Sequence, residues 1–440
     1  VARSTGTAVA GVESCRVLGL RQQRDSVRTP ASRFVREAVG NVLAEATVEV
    51  GFQPIVELAS QGVVGYEALS RGPRGSALEH PDELFAAARG AGRLDELDWL
   101  CQRRALRTAL DAGLQAPSVL FLNIEPEATG FMPLDLRSLY AEATAQMTIA
   151  VEVTERALTE RPAALLGHVA DMRALGCVIA LDDVGAETDS LAMMAVLAPE
   201  VIKLDLALIE AAQSRQLAEL IAAVTAQAER TGATILVERV ESQRQAELAD
   251  ALGARLAQGF LYGRRGRIAA RTRLLDPLVH ASGRPDPRDT TPFSLVAERR
   301  RVRQATRRML TGMSRHLEEQ ALRAGHGAVL VSSFERGERF GKSIRARYAR
   351  LARQVAFCGA VGARMRPEPA PGVRGGALQR GDPLTREWAV TVVSPHFAAA
   401  LTAHDLRSGH GDDALYDFVL THDRGLAVAS AAALMARIAA

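Results

Sequence analysis

Between Val48 and about Leu275, eight short apolar, β-branched runs alternate with longer Ala, Leu and Arg segments of helical period, and most runs end in an acid, an amide or a lysine. These two observations predict an α/β fold, a TIM-like (β/α)8 barrel with a smaller α/β domain after it. The runs are VEVGFQPIVEL (48–58), VVGYEAL (63–69), VLFLNI (119–124), IAVEVTE (149–155), VIALDDV (178–184), VIKLD (201–205), TILVERVE (234–241) and LAQGFLYG (256–263). Only Ala59, Ser60, Gln61 and Gly62 join the first two, a link that suits a hairpin and is too short for a parallel crossover. The barrel is therefore expected to hold one antiparallel strand. No Gly-rich dinucleotide loop follows the first run, which argues against a doubly wound open sheet.

The flanks are read by composition. Residues 1 to 45 form an N-terminal extension, mixed in Ser, Thr, Gly and Arg and expected to be partly disordered, with a short helix from Ser32 to Glu45. The barrel is expected over 46–280. The stretch SGRPDPRDTTP (282–292) punctuates the chain, and 281–309 is expected to be a linker and the start of a long helix from about Phe293 to Ala324. That helix would carry the arginine run ERRRVRQATRR (298–308), with Val296, Val302, Met309, Met313 and Leu317 as its apolar side. Strand-like runs at 327–334, 355–362 and 388–394 and an apolar last helix complete a second domain over 310–440.

Composition excludes several classes. The chain has 440 residues, 48% hydrophobic and 24% charged, with a net charge of +3; so small a net charge does not suggest wholesale nucleic-acid binding. Of 54 basic residues, Lys203 and Lys342 are the lysines. The four cysteines, Cys15, Cys101, Cys177 and Cys358, have no CxxC spacing and read as reduced thiols. No apolar run is long enough to span a bilayer, so a cytoplasmic protein without a membrane span is expected.

The chemistry gathers at the ends of the runs. Glu67, Asn123, Glu152, Glu155, Asp182, Asp183, Lys203, Asp205, Glu238, Glu241 and Gln258 lie near successive strand ends, which a (β/α)8 barrel brings to one face. A strand buried on both faces has no ordinary place for charge, so the set reads as a ring of oxygen ligands. Crowded carboxylates need cations, and hard oxygen donors favour Mg²⁺ or Mn²⁺ over zinc. The adjacent Asp182 and Asp183 suit two ions, an arrangement suited to in-line attack on a phosphodiester. Taken singly, Glu155 and Glu241 read as surface caps or ion-pair partners, Asp183 as a helix cap, and Lys203 equally as a buried salt bridge.

At these residues the sequence resembles the EAL-domain family of cyclic di-GMP phosphodiesterases, over about Val48 to Gly263. The resemblance rests on QPIV (53–56), Glu67-Ala68-Leu69 with Ser70-Arg71, Asn123 in FLNIEP, EVTE (152–155), LDD (181–183), IKLD (202–205), VERVE with Glu238 and Glu241, and QGF (258–260). It implies one metal on Glu67, Asn123, Glu152 and Asp182, and a second on Asp182, Asp183 and Glu238. It further implies that Lys203 contacts the catalytic water, that Glu238 is the general base and that Arg71 touches phosphate. Gln53 and Leu69 become substrate-site positions, Gln258 and Glu241 supporting polar groups, and Glu155 a loop anchor. The implied reaction opens cyclic di-GMP to linear pGpG, in a homodimer.

Two departures keep an alternative open. The loop usually reading DDFGTGYSSL is DDVGAETDSL here, changed over 184–189, and Arg239 stands where the motif EGVE has glycine. A catalytically weak or inactive cyclic di-GMP receptor is the competing expectation, and a protein-interaction scaffold with a vestigial carboxylate cluster a third. From about Leu310 onward the chain resembles the DICT domain, most specifically in GDPLTREWAVTVVSPHFAAAL (381–401). That resemblance implies a sensory role for an unspecified ligand or protein. Trp388 reads as a core residue, and His396 and His404 as solvated, rather than as pocket walls.

Overall fold

The computed structural model describes residues 30–125, 127–128, 131–154, 159–184, 190–211, 214–268 and 286–438. Glu155, Cys15, residues 185–189 and the extension before residue 30 lie outside the described residues. Helix α1 spans Pro30–Ala44 and leads into strand β1, Glu49–Glu57. A hairpin turns β1 into β2, Gly62–Arg71, as the four-residue link predicts. Helices α2 (Pro81–Ala91) and α3 (Leu94–Asp111) then cross to β3, Val119–Asn123. The βα alternation continues through α4 (Leu134–Thr144), β4 (Thr148–Thr154), α5 (Pro162–Ala174), β5 (Val178–Val184), α6 (Ser190–Leu197) and β6 (Val201–Asp205). It ends with α7 (Leu206–Ala211), α8 (Ser214–Thr231), β7 (Thr234–Glu238), α9 (Gln243–Ala251) and β8 (Leu256–Gln258).

The eight strands close in sequence order into a barrel. Strand β1 is antiparallel to both β2 and β8, and the other pairings are parallel. The barrel thus contains the one antiparallel strand expected. Its interior is filled by Ile55, Val119, Phe121, Ala150, Val178, Ala180, Val201, Leu236 and Leu256, all buried, as the layered core of such a barrel requires. Seen from solvent, each strand's other face meets its helices: Leu120, Leu122, Ile149, Val151, Ile179, Leu181, Ile202 and Leu204 pack in the larger outer cluster.

Helix α10 (Pro292–Ala297), strand β9 (Arg303–Thr306) and helix α11 (Arg307–Ala324) open the second domain. The expected single helix over 293–324 is therefore interrupted. Edge strand β9 pairs antiparallel with β15 (Leu415–Thr421), so backbone bonds to that strand override the helical propensity of the arginine run. The break also moves the apolar stripe. Val302 and Met309 are exposed, while Leu310, Ser314, Leu317 and Ala321 form the buried face of α11.

The seven-stranded sheet runs β12-β11-β10-β13-β14-β15-β9, with β10 (Val329–Arg336), β11 (Phe357–Ala363), β12 (Arg374–Leu378), β13 (Glu387–Val393) and β14 (Ala398–Ser408). Helices α11 and α12 (Lys342–Leu351) bury one face, where Leu330, Val390, Val392 and Leu401 meet Leu317, Tyr348 and Leu351. Helix α13, Arg424–Met435, buries the other. That second face joins the barrel: Val329, Val331, Leu434 and Met435 share one apolar cluster with Leu165, Val169 and Met193. Polar contacts border it, with Arg230 Nη2 donating to Pro395 O at 2.8 Å and Arg437 Nη1 to Pro287 O at 2.7 Å. Cys101, Cys177 and Cys358 are buried free thiols. No described helix is long and apolar enough to cross a membrane.

A buried polar chain fixes the exit of β3. Asp98 on α3 accepts from the Glu125 amide at 3.1 Å and from Gln102 Nε2 at 2.6 Å, and Gln102 Oε1 accepts from the Tyr140 hydroxyl at 2.8 Å. Burial pushes the Asp98 carboxyl up to about 8. The folded chain then keeps a proton that the unfolded chain releases near pH 4. That contribution to stability is complete at low pH and is lost as pH rises through about 8. Asp98→Asn cannot ionise, so urea unfolding should show the wild type losing more than ~1 kcal/mol relative to the variant between pH 5 and pH 8.5. A pH-independent difference would contradict this.

Candidate active site

Strand periodicity builds the site. Side chains two apart point the same way, so Asn123 follows Phe121, Glu152 follows Ala150, Asp182 follows Ala180, Lys203 follows Val201, Glu238 follows Leu236 and Gln258 follows Leu256. Each is the next inward position past the apolar core, at the carboxyl end of its strand. On the antiparallel strand the order reverses, and Gln53 is two residues before Ile55. Glu67, opposite Gln53 in the β1–β2 register, completes the ring.

Lys203 stands at its centre with 1% of its side chain exposed. Its Nζ lies 2.5 Å from Glu152 Oε1, 2.7 Å from Glu238 Oε1 and 3.3 Å from Asp182 Oδ1. Burial alone would lower the lysine pKa, but Glu152, Glu238, Glu67 and Asp182 outweigh it and hold the ammonium well above its ordinary value. On the acid side burial dominates: Glu152 is raised well above the carboxylate range and Glu238 to about 7, while Lys203 pulls both down.

A second set of bonds holds Glu67. Its Oε1 accepts from Asn123 Nδ2 at 2.9 Å and its Oε2 from Gln258 Nε2 at 2.5 Å. Gln258 Nε2 is also 3.2 Å from Gln53 Oε1, and Gln53 Nε2 donates to Gly263 O at 3.2 Å. The turn after β8 depends on Gly259, whose φ is +156° and where a Cβ would sit 2.0 Å from Val240 O. No other residue fits that close approach.

The remaining expected positions divide. Leu69 and Arg71 share the inward alternation of Glu67 at the rim and are half-buried. Asp183 is exposed on a left-handed backbone of φ +56°, its amide donating to Asp182 Oδ1 at 2.9 Å. Glu241 is exposed beyond β7, outside the bonded set. Arg239 also has a left-handed backbone, φ +59°, the region glycine favours. Its guanidinium turns aside to Asp205, Nε to Oδ2 at 3.1 Å, with 65% of the side chain exposed. It therefore borders the site without entering the Lys203 cluster.

Two residues escaped the sequence reading. Asp98, described above, carries no motif and sits mid-helix. Arg265 donates to Leu69 O at 3.0 Å and Glu49 O at 3.1 Å, adding a second cation near Arg71; burial, then Arg71, lowers its pKa. The basic run RRGR (264–267) was the available signal.

Among the described residues no three His, Cys, Asp or Glu side chains stand as a ready metal cage; the carboxylates close around the lysine ammonium instead. The donor set nonetheless fits a hard dication. Glu152 Oε2 and Gln258 Oε1 are buried oxygens with no hydrogen-bond partner, an unmet acceptor capacity that burial makes costly.

In comparisons with protein families, residues 35–265 match the EAL domain and residues 294–406 match the DICT domain, the sensory domain in diguanylate cyclases and two-component systems. The cyclic di-GMP phosphodiesterase RocR of Pseudomonas aeruginosa is 30% identical over 223 residues, 49% of this chain and 57% of RocR. The cyclic di-GMP phosphodiesterase NbdA of the same organism is 28% identical over 251 residues, covering 56% of this chain and 32% of NbdA. The chain thus spans little more than half the length, or less, of these curated relatives. Among solved structures, a PaMucR phosphodiesterase complex with c-di-GMP is 24% identical with a TM-score of 0.46, covering 53% of this chain and 98% of that one. A manganese and cy-diGMP complex of Klebsiella pneumoniae BlrP1 is 27% identical with a TM-score of 0.44, covering 50% and 56%.

Removing the central cation leaves buried carboxylates unpaired, a loss of about 3–5 kcal/mol for such groups. Lys203→Met should lose that much in EDTA and recover more stability from millimolar Mg²⁺ than the wild type does. Equal Mg²⁺ responses in thermal unfolding would contradict the account.

Proposed function

Because the chain belongs to the EAL domain family, we propose that its barrel hydrolyses cyclic di-GMP to linear pGpG, aided by Mg²⁺ or Mn²⁺ and regulated by the C-terminal domain. The observation that carries the reading is the inward ring of hard oxygen donors around Lys203, with Glu152 Oε2 left unpartnered. The names of the two phosphodiesterase relatives agree with it.

Glu67, Asn123, Glu152 and Asp182 would hold one cation, and Asp182, Asp183 and Glu238 a second. Bound there, such ions lower the pKa of a water and offset charge developing on the phosphoryl oxygens. The chain's own groups do the rest. Lys203 keeps a fixed positive charge at the floor of the site, where a nucleophilic water or phosphoryl oxygen accepts a hydrogen bond. Glu238, held 2.7 Å from Lys203 Nζ at the end of its strand, accepts the proton of the attacking water. Gln53, Leu69 and Gln258 line the substrate position, and Arg71 with Arg265 supplies cations for phosphate at the rim. Glu241 lies too far outside the bonded set to be more than a supporting group.

Regulation is supported by packing. Helix α6 starts seven residues after Asp183, and its Met193 shares an apolar cluster with Leu434 and Met435 of α13. A shift of the second domain therefore has a direct mechanical route toward the β5 strand end. The exposed Asp183, outside the ion pairs made to Lys203, favours a second reading, a barrel that binds cyclic di-GMP without opening it.

Chromatography of the purified chain with cyclic di-GMP and Mg²⁺ or Mn²⁺ distinguishes these readings. The proposal expects pGpG that disappears with EDTA and falls at least ~100-fold in Glu67→Ala, the scale on which loss of an essential group acts. Calorimetric binding of cyclic di-GMP with no pGpG would establish the receptor instead.

A further inference from the structure

On the face of the second sheet opposite α13, a cavity of about 230 Å³ opens between α11, α12 and strands β10 and β13. Aromatic groups form much of its wall. The Phe334 and Tyr348 rings meet edge to face with centroids 5.4 Å apart, and Trp388, half-buried, packs edge to face on Tyr416 at 5.9 Å. Trp388 is thus a cavity wall rather than a sealed core residue, while His396 is exposed and His404 packs against Phe293.

The charges in the wall do not balance. Arg347 is paired with Glu318, Nε to Oε2 at 2.6 Å, and Arg339 with Glu335, Nη1 to Oε2 at 2.7 Å. Arg307 has no carboxylate within ion-pair distance among the described residues; its Nη2 donates to the Tyr416 hydroxyl, and its Nε is buried without any acceptor. Seven residues, about two turns, further along α11, Ser314 is 5% exposed and its hydroxyl has no partner. Thr311 on the same helix satisfies its own hydroxyl on Arg307 O at 2.9 Å, and Ser314 is among the residues that line the cavity. Three arginines, Arg307, Arg339 and Arg347, face two glutamates, Glu318 and Glu335, in this wall. With Arg339 and Arg347 paired, the remaining positive charge on Arg307, together with the unbonded Ser314 hydroxyl, points to an oxygen-bearing anion.

Glu335 adds an independent sign. Its backbone is left-handed, φ +52°, at the irregularity where β10 changes register against β11. That conformation is sterically costly for a side chain of this size and accumulates at binding sites. Here it directs the carboxylate onto Arg339 and within 3.3 Å of the Tyr416 hydroxyl, which leaves Arg307, bonded to that hydroxyl and lying over the Tyr416 ring at 5.6 Å, without an ion-pair partner among the described residues.

We propose that this cavity is a binding site for a small planar aromatic carboxylate, its carboxylate held by Arg307 and Ser314 and its ring against Trp388 and Phe334. The volume is below the roughly 300–1,000 Å³ of drug-sized sites, which suits a one- or two-ring molecule. A single unpaired guanidinium matches a monoanion. The flat walls favour a π face, which stacks on Trp and Phe better than a saturated ring does. The site is separate from the barrel, so it stands or falls independently of phosphodiester hydrolysis.

Calorimetric titration of the full chain with 2-naphthoate tests it, beside 2-naphthamide, which keeps the ring and lacks the charge. One saturable site is expected for 2-naphthoate, weakened at least tenfold by the amide, at least tenfold in Arg307→Gln, and unchanged in the barrel variant Glu67→Ala. No saturable binding of 2-naphthoate, equal affinity for the amide, equal affinity in Arg307→Gln, or loss of binding in Glu67→Ala would each overturn the proposal. If Arg307→Gln fails to fold, the amide comparison on the wild type decides.

Discussion

A lysine ammonium enclosed at the end of a barrel core is untenable without anions around it, and carboxylates enclosed there are untenable without a cation. Lys203, Glu152, Glu238 and Asp182 meet both conditions at once. Their mutual attraction ties the carboxyl ends of β4, β5, β6 and β7 to one point. Glu67 then ties β2, β3 and β8 to the same floor through Asn123 and Gln258. Both clusters sit directly on the apolar layer made by Phe121, Ala150, Ala180, Val201 and Leu236. The polar site is therefore the last layer of the barrel's own packing, and its geometry follows from strand register.

This arrangement explains why the fold and the inner ring were legible in the sequence. A period of two along a buried strand leaves no freedom over which side chain faces inward. Once VIALDD, VIKLD and TILVE are read as strands, Asp182, Lys203 and Glu238 must converge. What the pattern could not supply was the contact partner of each group. The direction of Arg239 depends on a left-handed backbone and on Asp205, neither of which leaves a periodic trace. Asp98 was hidden for a similar reason: its role comes from the neighbouring β3 exit, reached only through tertiary packing.

The second domain was less legible. The arginine run around residue 303 carries helix-forming residues, yet pairing with β15 makes it an edge strand. Strand β14 begins with Ala398, Ala399 and Ala400, residues of weak strand preference, and is held by buried pairing with β13 and β15 on either side. Burial of α13 against both the sheet and the barrel joins the two domains through an apolar surface. Such contact makes the C-terminal domain part of the environment of α6, and through it of the Asp182–Asp183 strand end.

The unpartnered oxygens Glu152 Oε2 and Gln258 Oε1 leave capacity for a hard cation beyond the bonds to the Lys203 ammonium. Electron paramagnetic resonance of free Mn²⁺ during titration of the full chain measures this without reference to turnover. Saturable binding is expected, weakened at least ~10-fold in Glu152→Gln, since the variant removes a carboxyl that can give up its proton to a bound cation. Binding of equal strength in both proteins, or none in the wild type, would contradict it.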